Sequence, residues 1–331
     1  MVQAGSGFVY PAGLTMTDRI RFAPLLAALA ACALMAAAPR AGLGATQQAA
    51  PADSSAAPSG PAPSPEAVRA LMARMVENQH RNDRALEEYE RIERTVTRKA
   101  GPDSPVVSER TDLVMPTGTG VIRFPAKTDG SPPDAESRKR NIEFVIHALE
   151  LAQNPDDHEK QDFAKLEKRR RERADLVNET GRAFCVTFLG REERDSHVYG
   201  KYLLEPDPNF KPSARFGSLF EHVRATVWVD ESAAQVVRIE ADIATDANFG
   251  AGILGKVYHG GHFMLEQAEV APGVWLPTRY IYDIDGRRFL FGYGVHEQTD
   301  SSHYRHLGPP NTAIPVLRNE LSNLTTSASL H

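Results

Sequence analysis

The period of the hydrophobic positions changes along this chain, and each change marks an element. Val68, Leu71, Met72, Met75 and Val76 recur at helical spacing and make one apolar stripe. Ser64 precedes them as a capping hydroxyl, Pro65 suits a first turn, and Glu66 suits the positive end of the helix dipole. These positions predict a helix over 66–80, with the stripe fading after Gln79. "YERIERTVTRK", from Tyr89 to Lys99, then alternates as a strand does, while its Glu and Arg content also permits a longer helix. "PVVSERTDLVM" and "GVIRFP" are further short strands set off by Gly and Pro, and "KTDGSPPDAES" is a loop. From Arg138 to Gln153 the helical period returns, with Ile142, Val145, Ile146 and Leu149 on one face. Asn154-Pro155 breaks it, and Asp156 caps a second, charge-rich helix reaching about Asn178.

After Arg182 the period is two almost throughout. Seven strand-like segments follow one another, from "AFCVTFLG" to "RRFLFGYGV". Sequential strands with short connections predict an antiparallel meander. Asp285-Gly286 reads as a two-residue hairpin turn and "DESAAQ" as a looser one. Val223, Ala225, Val227 and Val229 share one face of their strand, and Val237, Ile239, Ala241 and Ile243 share one face of the next. Cys185, inside "AFCVTFL", reads as a buried small hydrophobe, and residues from Pro315 read as a frayed tail. The expected class is α+β, a sheet covered by the N-terminal helix and the Arg138–Gln153 helix.

"VWVDESAAQVVRIEADI", followed by "GHFMLEQAEVAPGVWLPTRYIYDIDGRRFLF", resembles the outer-membrane lipoprotein-sorting superfamily, the LolA/LolB-like half-barrels. The shared features are a strand ending in Asp, a turn, a strand of the type "VVRIE", and a later "GVWLPTR" strand leading to Asp-Gly. The resemblance spans roughly 66–300 in layout and is specific over about 223–293. It implies an antiparallel meander curved into an incomplete β-barrel around helices, with an apolar cavity for acyl chains. It also implies an arginine that helps close the cavity under a helical lid, a role that no residue here is matched to. The charged insertion at 134–180 departs from the compact carrier, and the same fold serves periplasmic sensors that bind proteins or lipids.

The N-terminal region reads as an export signal. Arg19 and Arg21 precede an apolar run from Phe22 to Ala38, and Leu43-Gly44-Ala45 suits cleavage, so 1–45 reads as a signal peptide region with Met16 as an alternative start. Leu29-Ala30-Ala31-Cys32 resembles a lipobox, which makes Cys32 a candidate for acylation. Residues 46–65 are a Pro/Ala/Ser-rich linker, 66–314 the half-barrel domain, and 315–331 the tail. Cys32 and Cys185 are the two cysteines, and either route of processing leaves no pair for an internal disulfide. A net charge of −5 over 331 residues argues against a nucleic-acid binder.

Candidate chemistry is sparse. Trp228, Ile239, Ala241, Phe263, Trp275, Phe289 and Phe291 are candidates to line an acyl groove, and the aromatics among them equally fit an ordinary core. Lys165, Lys168, Arg169, Arg170 and Arg171 offer a contact for anionic lipid head groups or an acidic partner, or a solvated face paired with Glu167 and Glu172. His259, His262, His303 and His306 lack the companion ligands of a metal site, and the glycines between His259 and His262 read as a turn or bulge. No nucleophile elbow, metalloprotease or P-loop pattern occurs. The expectation is an exported, non-enzymatic binding or carrier protein without cofactor, holding a lipid or lipoprotein acyl chain. The alternative is a periplasmic sensor or scaffold for envelope proteins. Either would be a monomer, periplasmic or lipid-anchored, with peripheral membrane contact and no nucleic-acid partner.

Overall fold

The computed structural model describes residues 60–126, 133–214, 216–249, 255–288 and 291–328. The signal-like segment, Cys32, most of the linker and Phe289 lie outside these residues. Helix α1 (Pro65–Leu86) starts where the sequence places it, with the Ser64 Oγ accepting from the Ala67 N–H at 3.2 Å. It runs past the end of its apolar stripe because Asn78, Gln79 and Asn82 are buried and hydrogen-bonded there. Strands β1 (Tyr89–Arg98), β2 (Val106–Pro116) and β3 (Val121–Pro125) follow. The expected insertion is two helices, α2 (Ala135–Gln153) and α3 (Asp157–Ala183). The Asp156 carboxylate caps α3 by accepting from the N–H groups of His158 and Glu159.

The remaining strands are β4 (Phe184–Arg194), β5 (His197–Pro206), β6 (Val223–Asp230), β7 (Gln235–Ile243), β8 (Ala247–Phe249), β9 (Gly255–Val257), β10 (His262–Ala271), β11 (Val274–Arg288) and β12 (Phe291–His306). Helix α4 (Pro310–Ala328) ends the described chain. The strands form one antiparallel sheet in the order β3-β2-β1-β12-β11-β10-β7-β6-β5-β4, with β8 and β9 appended to β11. The fold is α+β, an incomplete barrel whose edges are β3 and β4. The two meanders, β1–β3 and β4–β12, join through β1 and β12. The helices α2 and α3 connect the two edge strands.

The sheet is covered on opposite faces at its two ends. On the inner face, Val223, Ala225, Val227, Ile239, Ala241, Ile243, Phe263 and Leu265 form one buried cluster with Met72 and Met75 of α1 and Leu176 and Val177 of α3. On the outer face, Ile92, Leu113 and Met115 cluster with Ile142, Val145 and Leu149 of α2 and with Ile314 and Leu317 of α4. Ile92 alternates with Glu93 along β1, so the two clusters lie on opposite sides of the sheet. A four-membered charge network ties the outer layer down. The Glu90 carboxylate accepts from Arg138 at 2.8 Å and from Arg305 at 3.0 Å, and both arginines also reach Glu320 at 2.7 Å.

Four sequence-based expectations differ from the structure. Val237 does not share the core face, because the register shifts between Trp228 and Val229; Val236 pairs with Val229 and is buried in its place. The Asp285-Gly286 pair is not a turn: it lies inside β11 opposite Gly294 and Tyr293, and pairing continues to Arg288 and Phe291. Cys185 points outward from the edge strand β4 and is exposed. The stretch from Pro315 is not frayed. It continues α4 through the proline, because burial of Ala313, Ile314 and Leu317 outweighs the missing N–H. Leu317→Ala should therefore cost about 2–5 kcal/mol in urea unfolding; a loss under about 0.5 kcal/mol, the value for a surface site, would mean that this segment does not pack.

Candidate functional site

The inner face changes chemistry along the strand order. From β6 to β10 it is aliphatic, through Val227, Ile239, Ala241 and Leu265. On β11 it becomes aromatic, with Tyr280 opposite Leu265 and Tyr282 opposite Phe263. On β12 and β1 it turns polar. Thr299 and Glu297 face Tyr280 and Tyr282, and Thr95 and Thr97 face these in turn. The hydroxyls of Thr95 and Thr299 lie 3.2 Å apart, and the Thr97 hydroxyl donates to Glu297 at 3.2 Å. Beyond them the Arg91 Nε donates to Glu93 at 2.8 Å, and the Arg123 Nη2 from β3 donates to the same carboxylate at 3.0 Å. Arg91 and Glu93 are 7% and 8% exposed, so this is a buried ion network.

Helix α1 lies over the boundary between the apolar and polar parts. Its first half is apolar and its second half is held by polar contacts. Asn78 Nδ2 donates to the carbonyls of Ala233 and Ala234 at 2.9 and 2.7 Å. These belong to the β6–β7 turn, in which Ala234 has a left-handed φ of 51°. Asn82 Nδ2 donates to Gln235 at 2.9 Å, and its Oδ1 accepts from the Trp275 N–H at 3.2 Å. Helix α3 runs antiparallel to α1 along its other flank. His80 meets Asn178 at 2.9 Å, Asp83 takes both Nε and Nη2 of Arg173 at 2.8 and 3.2 Å, and Glu87 takes Arg170.

A cavity of about 30 Å³ remains at this junction, room for about two water molecules. Gln79, Asn82, Asp83 and Leu86 wall it from α1, Arg173 from α3, and Gln267, Trp275, Pro277 and Tyr280 from the sheet. Tyr280 and Tyr282 are stacked, with ring centroids 6.2 Å apart and planes at 12°. Burial raises the hydroxyl of Tyr280 well above its ordinary value, and that of Tyr282 likewise, so both stay protonated donors. Tyr304 is pushed up to about 12 by burial, and its hydroxyl donates to the Pro277 carbonyl. Burial alone would raise the Glu93 carboxyl, but Arg91 and Arg123 outweigh it and hold it at about 2.

The structure brings together only some of the residues expected to form a groove. Ile239, Ala241 and Phe263 are at most 1% exposed and lie in the inner core beneath the helices. Trp275 lines the cavity at its polar edge. Trp228 faces the other way. It sits on the outer face, where its Nε1 donates to Glu192 at 3.0 Å and its ring is covered by Lys201 at 4.7 Å and Arg238 at 5.7 Å. Phe289 and the side chain of Phe291 lie outside the described residues.

Of the basic stretch on α3, Arg170 is engaged by Glu87 and Glu167, Lys165 reaches Asp162 at 2.8 Å, and Arg171 Nε donates to the Glu167 carbonyl at 3.3 Å. Lys168 is exposed, and Arg169, also exposed, reaches the Thr119 carbonyl at 3.5 Å. His259 meets Asp246 and His262 meets Asp242, each at 2.8 Å. His306 meets Glu88 at 3.0 Å and His303 meets the Ser302 hydroxyl at 3.0 Å. Among the described residues no group of three or more His, Cys, Asp or Glu is placed to hold a metal. Sequence reasoning missed Arg91, Arg173, Tyr280 and Tyr282. The alternation in "RYIYDI" was the available signal, since it puts two tyrosines on the core side of a strand.

Comparison with solved structures gives similar proteins. A LolA superfamily protein from Nitrosomonas europaea is 13% identical, with the match covering 71% of this chain and 92% of that one, at a TM-score of 0.24. A candidate outer membrane lipoprotein-sorting protein domain from Vibrio parahaemolyticus is 8% identical over 74% of this chain and 98% of its own, also at 0.24. A DUF1329 family protein from Desulfovibrio piger is 12% identical over 71% and 92%, at 0.25. The first two carry the family name that the sequence resembles. The fold class itself rests on the strand order, since superpositions at these TM-scores carry no argument. No family model matches the chain, and neither does any curated protein.

The buried Glu93 network has a defined pH signature. A carboxyl lowered from 4.5 to about 2 contributes stability that is fully present above pH 4.5 and is lost as pH falls toward 2. The pH-dependent part is about 3 kcal/mol. The stability gap between the protein and Glu93→Gln should be constant above pH 5 and shrink by that amount by pH 2 in urea titrations. A gap that does not change over this range would place Glu93 in contact with water, outside the network.

Proposed function

We propose that this is an exported, non-enzymatic binding protein that holds an acyl chain, a lipid or a lipoprotein between helix α1 and the inner face of the sheet. The observation that carries the reading is the mismatch between the inner wall and its cover. The wall is aliphatic and aromatic, whereas the second half of α1 is held to the sheet by Asn78 and Asn82 and to α3 by Asp83, to which Gln79 donates within the helix. Polar contacts of this kind contribute only about 0.5–1.5 kcal/mol each once exchanged for water. Apolar burial is worth about 0.8 kcal/mol per methylene, so a chain of several methylenes offsets their loss. A cavity of about 30 Å³ is far below the ~150 Å³ that holds one benzene, so this arrangement is the closed one and a chain enters as α1 parts from the sheet.

The signal-like N-terminus supports a periplasmic or exported location, with attachment to the envelope if Cys32 is acylated. Arg170, in the basic stretch of α3, is already taken by Glu87. That weighs against this helix as the main contact for a protein partner, the role a sensor or scaffold would require.

Native mass spectrometry of the protein from about residue 46 onward, followed by organic extraction, tests the reading. The expected result is a co-purifying acyl species, or uptake of phospholipid or lipopeptide that quickens when Asn78→Ala and Asn82→Ala loosen α1. A mass that stays that of the bare chain after incubation with both ligands would overturn the carrier reading in favour of the scaffold.

A further inference from the structure

Two tyrosine hydroxyls on the inner face are placed as if for a ligand. Tyr280 and Tyr282 are enclosed by protein yet partly reached by water, and neither hydroxyl has a hydrogen-bond partner among the described residues. Their neighbours on the strands to either side offer them no matching group. Leu265 and Phe263 are apolar, Thr299 is engaged with Thr95, and Glu297 is engaged with Thr97. A tyrosine that served only to fill core volume would need no hydroxyl, and these two, reached by water and without a protein acceptor, can donate to a ligand that displaces that water. Arg173 shares the cavity with Tyr280, and both Arg173 and Arg91 act electrostatically on that tyrosine. Leu86, Leu265 and Trp275 also wall this cavity.

We propose that this corner is a head-group subsite for an anionic single-chain amphiphile: the carboxylate or phosphate oxygens accept from Tyr280 and Tyr282 beside Arg173, and the chain runs along Leu265 beneath α1. The inference rests on the binding function proposed above and names its ligand chemistry. Two neutral O–H donors beside the guanidinium that Asp83 holds suit the several acceptor oxygens of a carboxylate or phosphate, whereas a neutral alcohol offers one weaker acceptor. The hydroxyls remain donors throughout the physiological range because burial raises them. Arg173 is held in place by Asp83, which also walls the cavity, so the guanidinium is positioned before any ligand arrives.

The test compares dodecanoate, dodecyl phosphate and dodecanol at pH 7 by displacement of a fluorescent acyl probe, with acetate and inorganic phosphate as head-only controls. The anionic amphiphiles should bind about tenfold more tightly than dodecanol, the factor expected for one or two charge-assisted hydrogen bonds. In the double variant Tyr280→Phe, Tyr282→Phe that preference should fall to within about twofold, with the melting temperature unchanged or raised. Loss of the preference with retained melting temperature separates a head-group role from a merely structural one. If the double variant keeps the full preference, or dodecanol binds as tightly as dodecanoate, the subsite is overturned while acyl binding stands. If acetate or inorganic phosphate displaces the probe as well as the dodecyl compounds do, the site serves a free anion and the amphiphile is overturned. If no dodecyl compound binds at all, the binding function and the subsite fall together.

Discussion

Everything polar on the inner face depends on the pairing of β1 with β12. Among the described residues this is the one ladder between the two meanders, and it joins strands some two hundred residues apart, from Tyr89 opposite His306 to Thr97 opposite Glu297. Without it the β1–β3 hairpins would carry Arg91, Glu93 and Thr95 on a free sheet with nothing to bury them against. With it, those side chains become the continuation of a wall that begins with Val227 and Ile239. The pairing also closes a long loop, so its entropy cost falls before most of its contacts form. The charge network of Arg138, Glu90, Arg305 and Glu320 sits at the same seam and draws β1, β12, α2 and α4 into one unit.

A sheet joined in this way has two different ends. At the β6–β7 end burial is apolar, and α1 and α3 supply the matching surface. At the β1–β3 end the outer face is apolar and takes α2 and α4, which leaves the inner face free to be polar. The wall therefore changes from aliphatic to charged over a few strands, with Tyr280 and Tyr282 at the transition. On the outer face the same strands carry a row of alternating charges. Arg238 and Arg279 flank Glu266, and Asp300 lies between Arg279 and Arg94, which explains why Trp228 ends up among cationic side chains on that side.

The local elements were legible in the sequence and the long-range ones were not. The Ser64 and Asp156 caps, the strand alternation from Val223 to Val229 and the helical insertion follow from short-range rules, and the structure has them. Three local rules gave way to tertiary packing. Asp285-Gly286 stays extended because both of its neighbours, β9 and β12, hydrogen-bond to it. Pro315 stays helical because Ile314 and Leu317 are buried. Val237 leaves the core because one bulge resets the register. For the candidate site, period-two reasoning put Ile239 and Ala241 on one face of their strand, and that face turns inward in the structure. It did not find the polar half, because nothing within a single strand shows that Arg91 will be buried beside a tyrosine from β11.

The lid and the cavity share side chains, and this couples them. Gln79, Asn82 and Asp83 belong to α1 and also wall the cavity beneath it. On the proposed function, an occupant of that cavity meets Asn82, which holds α1 to the sheet, and Asp83, which holds it to α3, and it competes with or adds to their contacts. A ligand that satisfies Arg173 weakens the hold of Asp83 on α3, and a ligand that leaves Arg173 to Asp83 tightens it. On the proposed function, occupancy and the position of α1 would be thermodynamically linked, with a coupling no larger than the difference in these contacts between the closed and open arrangements. On the proposed function that difference is a few hydrogen bonds and one bidentate ion pair, which burial of a chain of modest length would offset.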